Sequence, residues 1–224
     1  MSTKVIAIDG PAGAGKSTTA KAVAQELGLA HLDSGALYRA ITLAALNAGG
    51  LDDQALIVDE ADRQMVELRD VDGRFVPFLN GAEVSKEVRS TDVTDRVSTV
   101  SALPAVRHWA TERLREAVSK HPRGAVADGR DVGSVVFPDA VLKIFLTANL
   151  DARAMRRALE MENSPDVANL KIEIESRDDA DRNREISPLI QAADAILIDT
   201  SVMAFEEQVA KIVELGKRWW DAAN

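Results

Sequence analysis

The sequence predicts an α/β fold in which helices flank a parallel sheet. Three observations carry that prediction. Short apolar runs end in polar residues, helical stretches separate those runs, and a glycine-rich loop joins the first run to the first helix. Alternating strands and helices of this kind place a sheet between helical layers.

The first run is Val5-Ile6-Ala7-Ile8, bounded by Asp9-Gly10, and it suits a buried strand. The next residues, GPAGAGKS from Gly10 to Ser17, fit the phosphate-loop pattern G-x-x-x-x-G-K-[ST]. Lys21, Ala22, Val23, Ala24 and Leu27 then continue a helical pattern as far as Gly28. Strand, loop and helix are thus in the order that makes the motif meaningful. Gly10, Gly13 and Gly15 let the backbone turn tightly and bring N–H groups to phosphate oxygens, with Pro11, Ala12 and Ala14 between them and Thr18 after them. The helix opens near Lys16, so its positive end faces the same anion. Lys16 is positioned to reach the β and γ phosphates of ATP, and the Ser17 hydroxyl to join Mg²⁺.

Further along, Ala125-Val126-Ala127 leads into Asp128-Gly129-Arg130-Asp131, and Val141 to Leu146 leads into Thr147. Ala195-Ile196-Leu197-Ile198 leads into Asp199-Thr200-Ser201. Each reads as a buried strand, with helices expected at Ala105 to Val118 and Phe205 to Trp219. In parallel sheets ligands bind beyond the carboxyl ends of the strands. Asp9 to Ser17 and Asp128 to Asp131 both fall at such ends.

Two segments interrupt the alternation. Val66 to Lys86 carries Asp72-Gly73 and Asn80-Gly81, both strong hairpin turns, and so predicts three short antiparallel strands. Pro77 lies in the middle strand and removes one ladder donor, so a bulge is expected there. The second segment is Asp151 to Arg184. Arg153, Arg156 and Arg157 share a helix face, Ser164-Pro165-Asp166 marks a turn, and Asn169 to Ser176 begins another helix. It reads either as a solvated charged helix pair or as an arginine-rich lid over phosphates.

A phosphate loop alone leaves several classes open. A regulatory GTPase needs an N-K-x-D element, which is missing. Asp70 to Gly73 matches a D-x-x-G switch but sits in the hairpin region. A remodelling ATPase usually has a strand ending in two acids and a longer chain. A small-metabolite kinase suits 224 residues. The net charge of −9 argues against broad nucleic-acid binding. The absence of Cys excludes disulfides and thiolate metal sites, and no apolar run is long enough for a membrane span. With no secretory signal visible, a cytoplasmic location is expected. With no heptad pattern, so is a monomer.

Four stretches together resemble the bacterial cytidylate kinases, members of the nucleoside monophosphate kinase family. They are GPAGAGKST (Gly10–Thr18), LDSGALYRA (Leu32–Ala40), ADGRDVGSVVFPDA (Ala127–Ala140) and RDDADRNREISPL (Arg177–Leu189). The resemblance runs over nearly the whole chain. It implies transfer of the γ-phosphate of ATP to CMP or dCMP with Mg²⁺. It also implies a core at about 1–61, 99–150 and 177–224, a monophosphate-binding insertion at about 62–98 and a lid at about 151–176. By similarity, Arg39, Arg130 and Arg184 hold the α-phosphate of CMP, and Ser98, Arg107 and Asp131 read the cytosine. Arg177 and Asp181 lie near the sugar, while Ser34 and Tyr38 shape the acceptor pocket. Asp128 orients Mg²⁺ through water. Separately from the resemblance, closure of the arginine-bearing helix would carry Arg153, Arg156 or Arg157 towards ATP, with Arg153 and Arg157 the expected ATP contacts. Ala180 stands where some relatives have arginine, so one lid contact is either missing or supplied by Arg182. A kinase for UMP or AMP, or a nucleotide-binding module without turnover, remains open at this point.

The chemistry fits these residues. A phosphate oxygen is already an anionic nucleophile, so no general base is required. Neutralisation by Lys16, Mg²⁺ and arginines, with in-line positioning, is what the reaction needs. His31, His108 and His121 are scattered, and Trp109, Trp219 and Trp220 read as packing or surface residues.

Overall fold

The computed structural model describes residues 4–50, 53–159 and 166–222. Its contacts divide the chain into two units, Ala30–Ala125 and, together, Lys4–Leu29 with Val126–Asn224.

The second of these contains the phosphate loop. Its strands are β1 (Val5–Asp9), β6 (Ala125–Gly129), β7 (Leu142–Thr147) and β8 (Ile196–Asp199), in the order β6-β1-β7-β8. β1 runs parallel to β7, with Ile6 opposite Leu142, and β7 runs parallel to β8. Every residue of β1 and β6 is buried, as their continuous apolar runs require. Helix α1 (Lys16–Leu27) packs on α8 (Phe205–Ala222). Ile6, Ile8, Val23, Ile144, Leu146, Ile198 and Ile212 form the core between helices and sheet. Helices α6 (Leu150–Leu159) and α7 (Val167–Arg182) pair through a small cluster of their own, Ala154, Leu170 and Ile174, joined by Ala12 of the phosphate loop. The polar run after Asn169 is therefore helical as far as Arg182. Of the turn expected at Ser164-Pro165-Asp166, the first two residues lie outside the described residues. β8 departs from expectation, because Ile196 and Leu197 are 36% and 54% exposed. It is the terminal strand with β7 as its neighbour, and Ile198 alone of its apolar residues is buried.

The Ala30–Ala125 unit holds β2 (Ala30–Asp33), α2 (Ser34–Asn47), α3 (Gln54–Arg63), β3 (Glu67–Val71), β4 (Arg74–Leu79), β5 (Ala82–Glu83), α4 (Thr91–Val100) and α5 (Pro104–Ser119). The three-stranded meander is present. Asp72 and Gly73 have φ of 53° and 75°, Asn80 and Gly81 have φ of 50° and 80°, and both pairs make the tight turns that Asp-Gly and Asn-Gly favour. The meander also joins β2, since β4 pairs with it in parallel at His31 and Leu32.

The bulge expected at Pro77 is absent. The β3–β4 register is unbroken from Glu67 opposite Phe78 to Val71 opposite Arg74, with Leu68 facing Pro77. Ladder bonds alternate outward from the turn, so the Leu68–Pro77 pair is one that exchanges no hydrogen bonds, and β3 asks no donor of Pro77. On its other side Pro77 still accepts from the Val84 N–H at 3.0 Å. The missing donor falls there, where the two-residue β5 has ended.

Candidate active site

The phosphate loop begins where β1 ends. Gly10 is required by close approach: a Cβ built on it would lie 2.0 Å from the Leu146 carbonyl oxygen. Gly15 turns the chain into α1 in the left-handed region, with φ of 84°. Lys16 is the first residue of α1 and is buried, with Nζ donating to the Pro11 carbonyl at 2.7 Å. Burial, and next the nearby Arg130 guanidinium, hold its ammonium well below the ordinary lysine range. An anion placed against it would favour the charged form. Ser17 and Thr18 are exposed at the mouth of the loop. The Ser17 hydroxyl donates to Asp128 Oδ2 at 2.5 Å. This pair of hard oxygens suits Mg²⁺, which takes one or two protein ligands and completes its shell with phosphate and water. Among the described residues no cluster of three or more His, Cys, Asp or Glu could hold a metal without such help.

Asp9 organises the neighbouring turn. Its two carboxylate oxygens accept from the backbone N–H groups of Val132 at 2.8 Å and Gly133 at 2.7 Å. Burial pushes its carboxyl up to about 6, against the lowering effect of those two bonds and with Asp131 adding to the rise. Gly133 leaves room for this contact, because a Cβ there would sit 3.3 Å from Asp9 Oδ2 and 3.2 Å from Ala7 Cβ. Asp131, itself buried, opens this turn, its carbonyl accepting from the Val135 and Val136 N–H groups. The sequence marked Asp9 as a strand end only; its part in fixing the 131–136 turn went unread.

Arg130 and Arg184 meet at Asp181. Arg130 Nε donates to Asp181 Oδ2 at 2.7 Å, and Arg184 lies 3.4 Å from Oδ1 while donating from Nε to the Asp181 carbonyl. Asp181 is buried, so the two guanidinium groups share one enclosed carboxylate. Arg177 lies on α7, half-buried, and its charge acts on Lys16. Arg130 and Arg177 thus both lie near enough for their charges to disfavour the ammonium form of Lys16. Arg182 is exposed and pairs with Asp179 at 3.2 Å on its own helix, and Ala180 is exposed.

The arginines of α6 differ from one another. Arg153 is buried, and its guanidinium contacts the phosphate loop at the Ala12 carbonyl, 3.0 Å away. Arg156 donates to the Ala14 carbonyl at 3.4 Å and to Thr200, at Oγ1 and the carbonyl. Arg157 is exposed. Thr200 and Asp178, the acidic partner of Arg153, were not singled out as site residues: Thr200 reads only as part of a polar strand end, and Asp178 only as one acid within the stretch Arg177–Leu189.

The remaining predicted residues belong to the Ala30–Ala125 unit. Asp33 caps α2 by accepting from the Gly35 N–H at 2.9 Å. This cap sets the helix that carries buried Ser34 and Tyr38 and half-buried Arg39. Arg39 donates to Thr94 Oγ1 at 2.9 Å and to the Val88 carbonyl at 3.3 Å. Arg107, buried on α5, donates to the Ser101 carbonyl at 2.9 Å and lies 5.2 Å from the centre of the Tyr38 ring. Ser98 is half-buried on α4, and its carbonyl accepts from Ser101 Oγ at 3.1 Å. α2, α4 and α5 therefore gather five of the expected acceptor-side residues in one unit. Trp109 is buried with Nε1 donating to Asp62, and His108 is exposed, so neither departs from a structural role.

The family model described as cytidylate kinase matches residues 6–218. A cytidylate kinase of Desulforamulus reducens is 47% identical over 96% of this chain and 98% of its own length. One of Mycobacterium leprae is 42% identical over 97% of each chain. A solved structure from Eubacterium ventriosum, an uncharacterized protein, aligns over 95% of this chain and 97% of its own with a TM-score of 0.54 at 11% identity, which speaks to the fold alone. On the family match and the full-length identities, the chain belongs to the cytidylate kinase family.

Proposed function

We propose that this protein transfers the γ-phosphoryl group of ATP to CMP or dCMP, giving ADP and CDP or dCDP. The observation that carries this reading is the buried Lys16 at the head of α1, beside a Ser17–Asp128 oxygen pair and the Arg130–Asp181–Arg184 group. An α-phosphate oxygen of CMP supplies the electron pair for the new P–O bond. The bond from the γ-phosphorus to the β–γ bridging oxygen breaks, and ADP leaves with that electron pair. Lys16 neutralises charge on the β and γ oxygens, while Arg39, Arg130 and Arg184 hold the acceptor phosphate against the repulsion of the donor. Arginine suits this because its planar fork takes two phosphate oxygens at once. Ser17, and Asp128 through water, would hold Mg²⁺, and the ion would supply charge neutralisation for the donor phosphates. Ser98, Arg107 and Asp131 read the base, Arg177 and Asp181 adjoin the sugar, and Ser34 and Tyr38 shape the pocket. Arg157 adds charge at the donor. Helices α6 and α7 act as the lid region and the β3–β5 meander as part of the acceptor side of a monomeric, cytoplasmic enzyme of pyrimidine nucleotide metabolism.

An ADP-release assay with CMP, dCMP, UMP and AMP in turn tests this. Turnover highest with the cytosine nucleotides is the expected result. A preference for UMP or AMP replaces the substrate, and no turnover with any of them removes the kinase reading.

A further inference from the structure

One residue of the phosphate loop is held by both of its backbone groups. The Ala12 N–H donates to Asp178 Oδ1 at 2.8 Å, and the Ala12 carbonyl accepts from Arg153 Nη1 at 3.0 Å. Arg153 and Asp178 are themselves ion-paired, and their side chains are 8% and 1% exposed. Arg153 Nε also donates to the Ala148 carbonyl at 3.0 Å, which fixes the guanidinium plane. The Ala12 methyl packs with Ala154, Leu170 and Ile174 of α6 and α7. Gly13 fits tightly beneath, since a Cβ there would lie 3.1 Å from Arg153 Cβ and from its carbonyl oxygen.

We propose that Arg153 and Asp178 are positioning residues for the phosphate loop. They fix the Ala12 peptide, and with it the direction of the N–H groups that follow, and they tie the bases of α6 and α7 to the loop. The inference rests on reading the loop as the ATP phosphate site. It assigns Arg153 to the loop backbone rather than to the nucleotide. A buried pair of this type is costly to desolvate: without Asp178 the Arg153 guanidinium loses its carboxylate, and without Arg153 the Asp178 carboxylate keeps only the half-exposed Arg182, 3.9 Å away. Asp178 also runs against simple electrostatics, because it places a carboxylate beside a loop that receives a polyanion.

That opposition supplies the test. Neutralising Asp178 by itself removes a repulsive charge and should tighten ATP binding. If Asp178 positions the loop, Asp178→Asn should instead weaken it. ATP affinity with Mg²⁺ is measured by calorimetry without acceptor, CMP affinity by the same method, and turnover separately. The expected result for Asp178→Asn is a loss of about tenfold in ATP affinity, with CMP affinity changed less than about twofold. ATP affinity that is unchanged or improved in the folded variant overturns the proposal. If thermal unfolding shows that Asp178→Asn is not folded, Arg153→Lys decides. It keeps a cation for Asp178, but its single ammonium cannot also serve the Ala12 and Ala148 carbonyls. ATP affinity should fall several-fold in this variant, and wild-type affinity contradicts the positioning role. Wild type that binds ATP without phosphorylating CMP defeats the functional reading and leaves this comparison intact. Wild type that binds no ATP defeats both.

Discussion

The β3–β5 meander and the α6–α7 pair are held by different physics. The meander relies on a regular backbone ladder and two left-handed turns, each local to a few residues. The helix pair has a small apolar cluster and is tied to the phosphate loop by the buried Arg153–Asp178 pair. A change in the meander therefore costs stability in proportion to the bonds or backbone strain involved. A change at the base of α6 or α7 is transmitted to the loop, because that base grips the loop's peptide group. Stability and nucleotide binding should separate along this line, and the following variants are ordered by expected effect.

The largest effect is expected at Lys16. Lys16→Met keeps most of the side-chain volume and should lower phosphoryl transfer on the order of 10³-fold or more. Its melting temperature should not fall, because burial penalises the charged form of Lys16 in the ligand-free protein. Wild-type turnover would break the assignment of the loop as the transfer site.

Asp131 is expected to matter for which base is accepted. A carboxylate accepts from the exocyclic amine of cytosine, whereas uracil offers a carbonyl there. Wild type should prefer CMP over UMP by about tenfold to several hundredfold in kcat/KM. Asp131→Asn should lower CMP activity and narrow that ratio. An unchanged ratio with lower activity would make Asp131 a holder of phosphate or backbone instead.

Asp9 sharpens the stability side. Its carboxyl is raised from 3.8 to about 6 in the folded chain. Between these values the folded protein keeps a proton that the unfolded chain has released, so this contribution to stability is complete below about 3.8 and lost as pH rises through about 6. Asp9→Asn removes that titration. The stability of wild type relative to the variant should fall by roughly 1–3 kcal/mol from pH 4 to pH 6.5 and then level off. Chemical denaturation across that range measures it, and a flat difference contradicts the burial argument.

The smallest effect belongs to the meander. A Cβ on Gly73 meets nothing within 4 Å, so Gly73→Ala suffers only from its φ of 75°. A loss of about 1 kcal/mol is expected, with ATP affinity unchanged. Weakened ATP binding in this variant would erase the distinction between the two regions.

Legibility in the sequence followed the range of the interactions. The phosphate loop and both hairpin turns were readable because their chemistry lies within two to eight consecutive residues. The glycine at Gly73 and the lysine at Lys16 are demanded by local backbone or by position on a helix end, whereas Gly10 is flagged by the motif but required by the distant Leu146 carbonyl. β2 was not picked out, since the four residues Ala30–Asp33 are too short for periodicity. The exposure of Ile196 and Leu197 was missed because an apolar run does not reveal whether its strand is central or terminal in the sheet. At Pro77 the sequence showed a missing donor but not which side of the strand would lack it. Asp178 was the deepest omission. Its partners Ala12 and Arg153 lie 166 and 25 residues away, and only the fold brings them together.

The central claim is that this chain moves a phosphoryl group from ATP to a cytosine monophosphate. ATP labelled at the γ-phosphate, incubated with CMP and Mg²⁺ and separated by chromatography, tests it directly. The label should appear in the β-phosphate of CDP with wild type and be nearly absent with Lys16→Met. Label recovered only as inorganic phosphate, or left wholly in ATP, would contradict it.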